Sequence, residues 1–176
     1  MTMSATNHSH DALTSRPPSR ATLVTAAAAL VSSAAFTAGC LLTQAVSVPT
    51  WRAMEPASFL EHFATAGPAT GAVLFPLEIA AVALLGTTTY SVIRLRRGGR
   101  LLWAAATISM GATVALLPVY FAGANSAMLD DSFSATEVAR ELTRWNAWNW
   151  LRTGLAVAAT ACGFTALTET LHPGAE

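Results

Sequence analysis

Apolar residues run along this chain in four long blocks, and polar residues gather between the blocks instead of alternating within them. Residues 21–51 carry no charged side chain, residues 70–93 carry one (Glu78), and residues 101–124 and 153–168 carry none. A hydrocarbon core roughly 30 Å thick needs about 20 apolar residues in helical form. The pattern therefore predicts an all-α, four-helix transmembrane bundle, with helices at about residues 22–46, 70–93, 101–124 and 147–168. Strands have no place in a chain patterned this way.

The segments between the blocks refine that picture. Residues 1–20 are polar and end at Arg20, which reads as a disordered cytoplasmic tail. Asn7, His8 and His10 within it form at most a loose metal contact. A signal peptide is the alternative reading of the first block, with Arg16 and Arg20 as its basic region. Against it, the position three before Cys40 is Thr37 where a lipoprotein site wants Leu, and apolar character continues past Cys40. Pro49 is expected to end helix one. Residues 56–66 predict a short interfacial helix between helices one and two, with Pro56 at its start, Gly67 and Pro68 at its stop, and Phe59, Leu60 and Phe63 as its apolar edge. Ser134 and Glu137 have the spacing of a capping box, so helix four is expected to begin near Ala135 and extend beyond the membrane on the outer side. Residues 21–169 then form the membrane domain and residues 170–176 a C-terminal tail.

Composition supports a membrane setting. Hydrophobic residues make up 53% of the chain and charged residues 11%, against about 25% charged in a soluble domain. Formal net charge is zero, so no field favours nucleic acid as a partner; membrane lipid and a hydrophobic aromatic small molecule are the partners the chain suits. Arg94, Arg96, Arg97 and Arg100 surround Gly98 and Gly99. By the positive-inside rule that turn is cytoplasmic. A multi-pass protein of the cell membrane follows, with both termini on the cytoplasmic side. Oligomeric state leaves no mark on the sequence. Cys40 lies near one end of its helix and Cys162 nearer the opposite membrane face, too far apart for a disulfide, and neither has metal-site spacing.

The densest chemistry lies at residues 144–152, where three Trp, two Asn and two Arg crowd into nine positions. Residues 153–168 span only about 24 Å at about 1.5 Å per residue, so the fourth span must take in Asn149 and Arg152. Trp145, Asn149 and Arg152 share one helical face. A Trp belt with a snorkelling Arg is the plain reading of this stretch; a buried polar site is the other. A lone carboxylate inside helix two is paired, protonated or in use. With both termini on one side, Gln44, Glu78, Tyr120, Asn125, Trp145, Trp148, Asn149 and Arg152 all fall in one layer toward the outer face. That shared depth predicts an outward-opening pocket with Glu78 and Arg152 on facing walls. A structural ion pair that fixes helix packing is the competing role.

The run Trp145, Trp148, Asn149, Arg152 and Thr153, with Gly39, Pro49 and Asn125 upstream, resembles the anthrone oxygenase-like family of small four-helix membrane proteins over about residues 30–168. The family often carries an Asn-x-Pro-x-Asn run at the end of helix three, of which this chain keeps only Asn125. The resemblance implies cofactor-independent oxidation of an anthrone-like polycyclic aromatic to a quinone by O₂. Glu78 would then be the base, Arg152 and Asn149 would hold the enolate oxygen, and Trp145, Trp148 and Tyr120 would stack on the rings, with Gln44 and Asn125 completing the lining. No cofactor is expected. The alternative is a non-catalytic membrane module that binds a lipid, a quinone or a partner protein. A metal site built from Glu78 with His62 or Glu55 ranks third. No dinucleotide loop, phosphate loop or serine elbow is present in the sequence.

Overall fold

Backbone N–H and C=O groups in a bilayer must pair within the chain, and the four apolar blocks meet that demand as four long helices. The computed structural model describes residues 19–171; the stretch 7–10 and the rest of the two tails lie outside the described residues. Helix α1 covers Arg20–Ala53, α2 Pro56–Arg94, α3 Arg100–Met128 and α4 Ala135–Leu171. All four are long and apolar enough to cross a membrane, and the chain is an all-α, multi-pass integral membrane protein. Each helix packs on its neighbours in sequence and α1 closes onto α4, which leaves α1 opposite α3 and α2 opposite α4. Short connections make the neighbours antiparallel.

Many of the buried positions are small residues, and many large aliphatic ones face outward. Ala26, Ala29, Ser33, Ala81, Ala106, Ala156, Ala159 and Ala166 are buried, whereas Val31, Val73, Ile79, Ile108, Val157 and Phe164 face outward. Lipid tails are as apolar as Leu, so burying Leu gains little; close backbone approach and interhelical hydrogen bonds hold such a bundle. Thr37 donates to the Ala156 carbonyl at 3.1 Å and lies 2.9 Å from the Thr160 hydroxyl, tying α1 to α4. Thr89 does the same between α2 and α3, on the Trp103 carbonyl and Thr107. The Trp103 indole donates to Thr170, joining α3 to α4.

The α2–α3 turn is the tightest backbone position. Gly99 has φ of 75°, and a Cβ there would lie 2.7 Å from the Ala166 carbonyl oxygen of α4. A Gly99→Ala protein is expected to lose at least about 1–2 kcal/mol from the left-handed conformation alone, and more from the backbone collision. A lower unfolding temperature in detergent checks this; an unchanged one contradicts the close approach.

Three sequence expectations are corrected. No separate interfacial helix forms: residues 56–66 are the first turns of α2, which runs on through Pro68 and Pro76. Each Pro removes one N–H from the ladder, but Phe59 and Phe63 are buried against Trp51, and this packing keeps the segment in line. Helix α1 does not stop at Pro49 but reaches Ala53. A π turn at Thr43–Ser47 widens the helix just before that proline, and a second at Leu117–Phe121 contains Pro118 in α3. Finally, Ser134 caps the Thr136 amide, but the side chain of Glu137 pairs with Arg140 instead of reaching back. Both cysteines are free.

Two apolar clusters stack along the bundle axis. One, around Leu30, Phe36, Leu85, Trp103 and Met110, fills the half toward the arginine turn. The other joins Trp51, Phe59, Phe63, Phe121, Leu142 and Trp145 at the opposite, aromatic end. Between them lies a polar layer.

Candidate functional site

Glu78 and Arg152 belong to opposite helices, and their side chains meet in the bundle interior. An Arg152 guanidinium nitrogen donates to Glu78 Oε2 at 2.5 Å. Glu78 is 0% exposed and the Arg152 side chain 14%. The guanidinium carbon sits 5.0 Å from the Phe36 ring centre and 5.3 Å from that of Phe121, so aromatic faces replace the water this cation has given up. The pair is direct. The expected facing-wall arrangement, with a pocket between the two charges, is corrected: a guanidinium reaches several ångströms beyond its Cα and closes that gap.

The cavity lies on the other side of Arg152. It measures about 110 Å³ and is lined by Asn149 and Arg152 at its polar floor, with Trp51, Phe63, Phe121 and Trp145 among its walls. Of the residues singled out from sequence, Asn125, Trp145, Asn149 and Arg152 line it; Glu78, Gln44, Tyr120 and Trp148 do not. Trp145 donates its indole N–H to Asn125 Oδ1 at 3.0 Å. Trp145 also meets Trp51 edge-on at 5.3 Å and Phe121 at 5.5 Å. Tyr120 and Trp148 form their own stack at 5.1 Å, with the Tyr120 hydroxyl on Glu141 at 2.6 Å and Arg144 over the Tyr120 ring. Their rings are engaged with each other and with α4, away from the cavity.

Several buried polar atoms of this layer have no hydrogen-bond partner among the described residues: Glu78 Oε1, Asn149 Nδ2, Arg152 Nε and both amide atoms of Gln44. Asn149 is 2% exposed and Gln44 7%. Such groups are costly when left unpaired, by about 1–3 kcal/mol each, and in native proteins they mark strain, a functional role, or a place for bound water or an ion. Gln44 stands seven residues beyond Thr37 and so on the same face of α1, the face that meets α4.

No group of three or more His, Cys, Asp and Glu side chains that could hold a metal occurs among the described residues. His62 lines a surface groove with Ser58, Glu61 and Thr65, about 24 Å from Glu78 along the α2 axis. The structure does not bring the third-ranked set together.

Sequence reasoning missed Trp51, Phe63, Gly71 and Phe121. Trp51 and Phe63 escape notice because the sequence pattern places breaks at Pro49 and at Gly67 and Pro68, where the helices continue. The chain matches no protein-family model, no curated protein and no solved structure.

Proposed function

We propose that this membrane bundle binds a flat, hydrophobic small molecule through one neutral oxygen, a ketone or quinone carbonyl, held at the cavity floor by Asn149 and Arg152. The observation that carries the reading is that Asn149 and Arg152, each with a buried and unpartnered nitrogen (Nδ2 and Nε), line the cavity beneath aromatic walls. Glu78 balances the guanidinium charge, so the floor offers donors without net charge. That combination favours a carbonyl over a carboxylate, which would need an uncompensated cation. The walls supply ring faces of the kind aromatic ligands stack on.

Catalysis at the same floor is the second reading. The observation in its favour is the free Oε1 of Glu78, a buried acceptor next to the group that would hold the oxygen. For an anthrone-type substrate, a base takes a methylene proton, the enolate reacts with O₂, and one oxygen stays as the new carbonyl while the other leaves as water. For Glu78 to take that proton, the Arg152 side chain must turn aside, since the carboxylate does not line the cavity.

Menadione, a neutral naphthoquinone, serves as probe with the protein in phosphatidylcholine vesicles. Saturable quenching of tryptophan fluorescence is expected, weakened roughly threefold to tenfold by Asn149→Leu, the worth of one hydrogen bond. Unchanged affinity in that variant would sink the binding reading. Anthrone-dependent O₂ uptake that disappears in Glu78→Gln supports the catalytic one; uptake equal to wild type removes it.

A further inference from the structure

The cavity has a closed roof and an open side. Toward the aromatic end it is sealed by packed rings: Trp51 lies 5.9 Å from Phe63 and 5.3 Å from Trp145, and Trp145 lies 5.5 Å from Phe121. The floor is closed by Arg152, the Glu78 pair and the Phe36 ring. On the α2 side the lining is different. Thr70, Gly71 and Phe75 line the cavity and are nevertheless exposed. Thr70 and Gly71 flank the same inward stripe of α2 as Phe63, Leu74 and Glu78. A Cβ added to Gly71 would meet nothing within 4 Å among the described residues. One turn further on, α2 closes against α1, where a Cβ on Gly39 would collide with Leu74. Around Gly71 the helix therefore borders open space, and the gap there is a mouth.

Its depth follows from helix geometry. Taking Arg94 as the mark of one membrane boundary, Phe75 lies about 28 Å and Gly71 about 35 Å away along α2. The opposite edge of a hydrocarbon core roughly 30 Å thick falls between them. The surroundings agree: Val46 of α1, Val73 of α2, Val119 of α3 and Trp150 of α4 all turn outward near this level, Trp150 at 56% exposure, as befits an interfacial tryptophan.

We infer that the mouth framed by Thr70, Gly71 and Phe75 is a lateral portal, through which the cavity takes its ligand from the bilayer at the boundary between acyl chains and headgroups, with Gly71 as the residue that keeps it open. The ligand class that follows is a membrane-dissolved molecule with a neutral oxygen at one end. A cavity of about 110 Å³ is smaller than the roughly 300–1,000 Å³ of ordinary small-molecule sites. It takes the head of such a molecule, and the body remains in the mouth and the lipid. The ligand class rests on the binding reading above; the portal itself rests on the geometry alone.

Two measurements separate these. In a Cys40→Ser/Cys162→Ser background, Phe75→Cys, on the acyl-chain side of the mouth, carries a nitroxide spin label in phosphatidylcholine vesicles. Collisions with O₂, which concentrates in lipid, are expected to exceed those with a water-soluble nickel chelate; the reverse order overturns the portal whatever binds. Gly71→Phe is then expected to fold with an unchanged unfolding temperature and to bind menadione at least about tenfold more weakly than wild type. Wild-type affinity in that variant also overturns the portal. A wild-type protein that leaves menadione unbound while the label reports lipid upholds the portal and counts against the carbonyl reading.

Discussion

An Arg152→Met protein is expected to lose about 3–5 kcal/mol of stability, and Glu78→Leu combined with Arg152→Met much less than that. The asymmetry comes from desolvation. Glu78 is 0% exposed, and removing its partner strands a carboxylate with nothing to offset the water it gave up. Removing both charges leaves an apolar contact between α2 and α4, and such replacements are often neutral or better. The pair also joins two helices that face each other across the bundle and otherwise make few contacts, so the single variant should loosen that diagonal. Unfolding in mixed detergent micelles measures both proteins. A single variant no worse than the double would mean that water already reaches the carboxylate.

The second large effect is expected at Trp145. Replacing it with Ala should cost about 3–5 kcal/mol, the usual toll for deleting a large buried aromatic. Trp145 is 7% exposed, meets Trp51 and Phe121 edge-on, and donates to Asn125. The Ala variant opens the roof and leaves Asn125 Oδ1 without its donor. Trp145→Phe keeps most of the ring area and loses the hydrogen bond, so about 0.5–1.5 kcal/mol is expected from that part. The same unfolding assay orders the three proteins; equal stability of the Ala and Phe variants would show that the rings do not carry the packing.

The four spans were legible because a bilayer tolerates few charges and needs an uninterrupted apolar run, which a one-dimensional pattern displays. The polar layer was legible for the same reason: Glu78 and Arg152 stand out against uncharged neighbours. What the pattern does not display is reach. Whether a guanidinium closes onto a carboxylate or leaves room between them depends on side-chain length and helix spacing, and here the arginine closed the gap. Continuity through Gly67 and Pro68 was hidden as well. The local preference of Gly-Pro is for a break, and the packing of Phe59 and Phe63 on Trp51 that overrules it comes from a different helix. The mouth depends on a residue with no side chain, Gly71, which a search for chemistry passes over.

The wide turns at Thr43–Ser47 and Leu117–Phe121 carry a consequence for anyone altering this molecule. Each lets one residue of slack into a screw that otherwise advances about 100° per residue. The phase of α1 below Gln44 and above Val48 is therefore set separately, and so it is on either side of the second turn in α3. A wheel drawn for the lower half of either helix points to the wrong side in the upper half, so grafts and insertions need to be indexed from the nearer end.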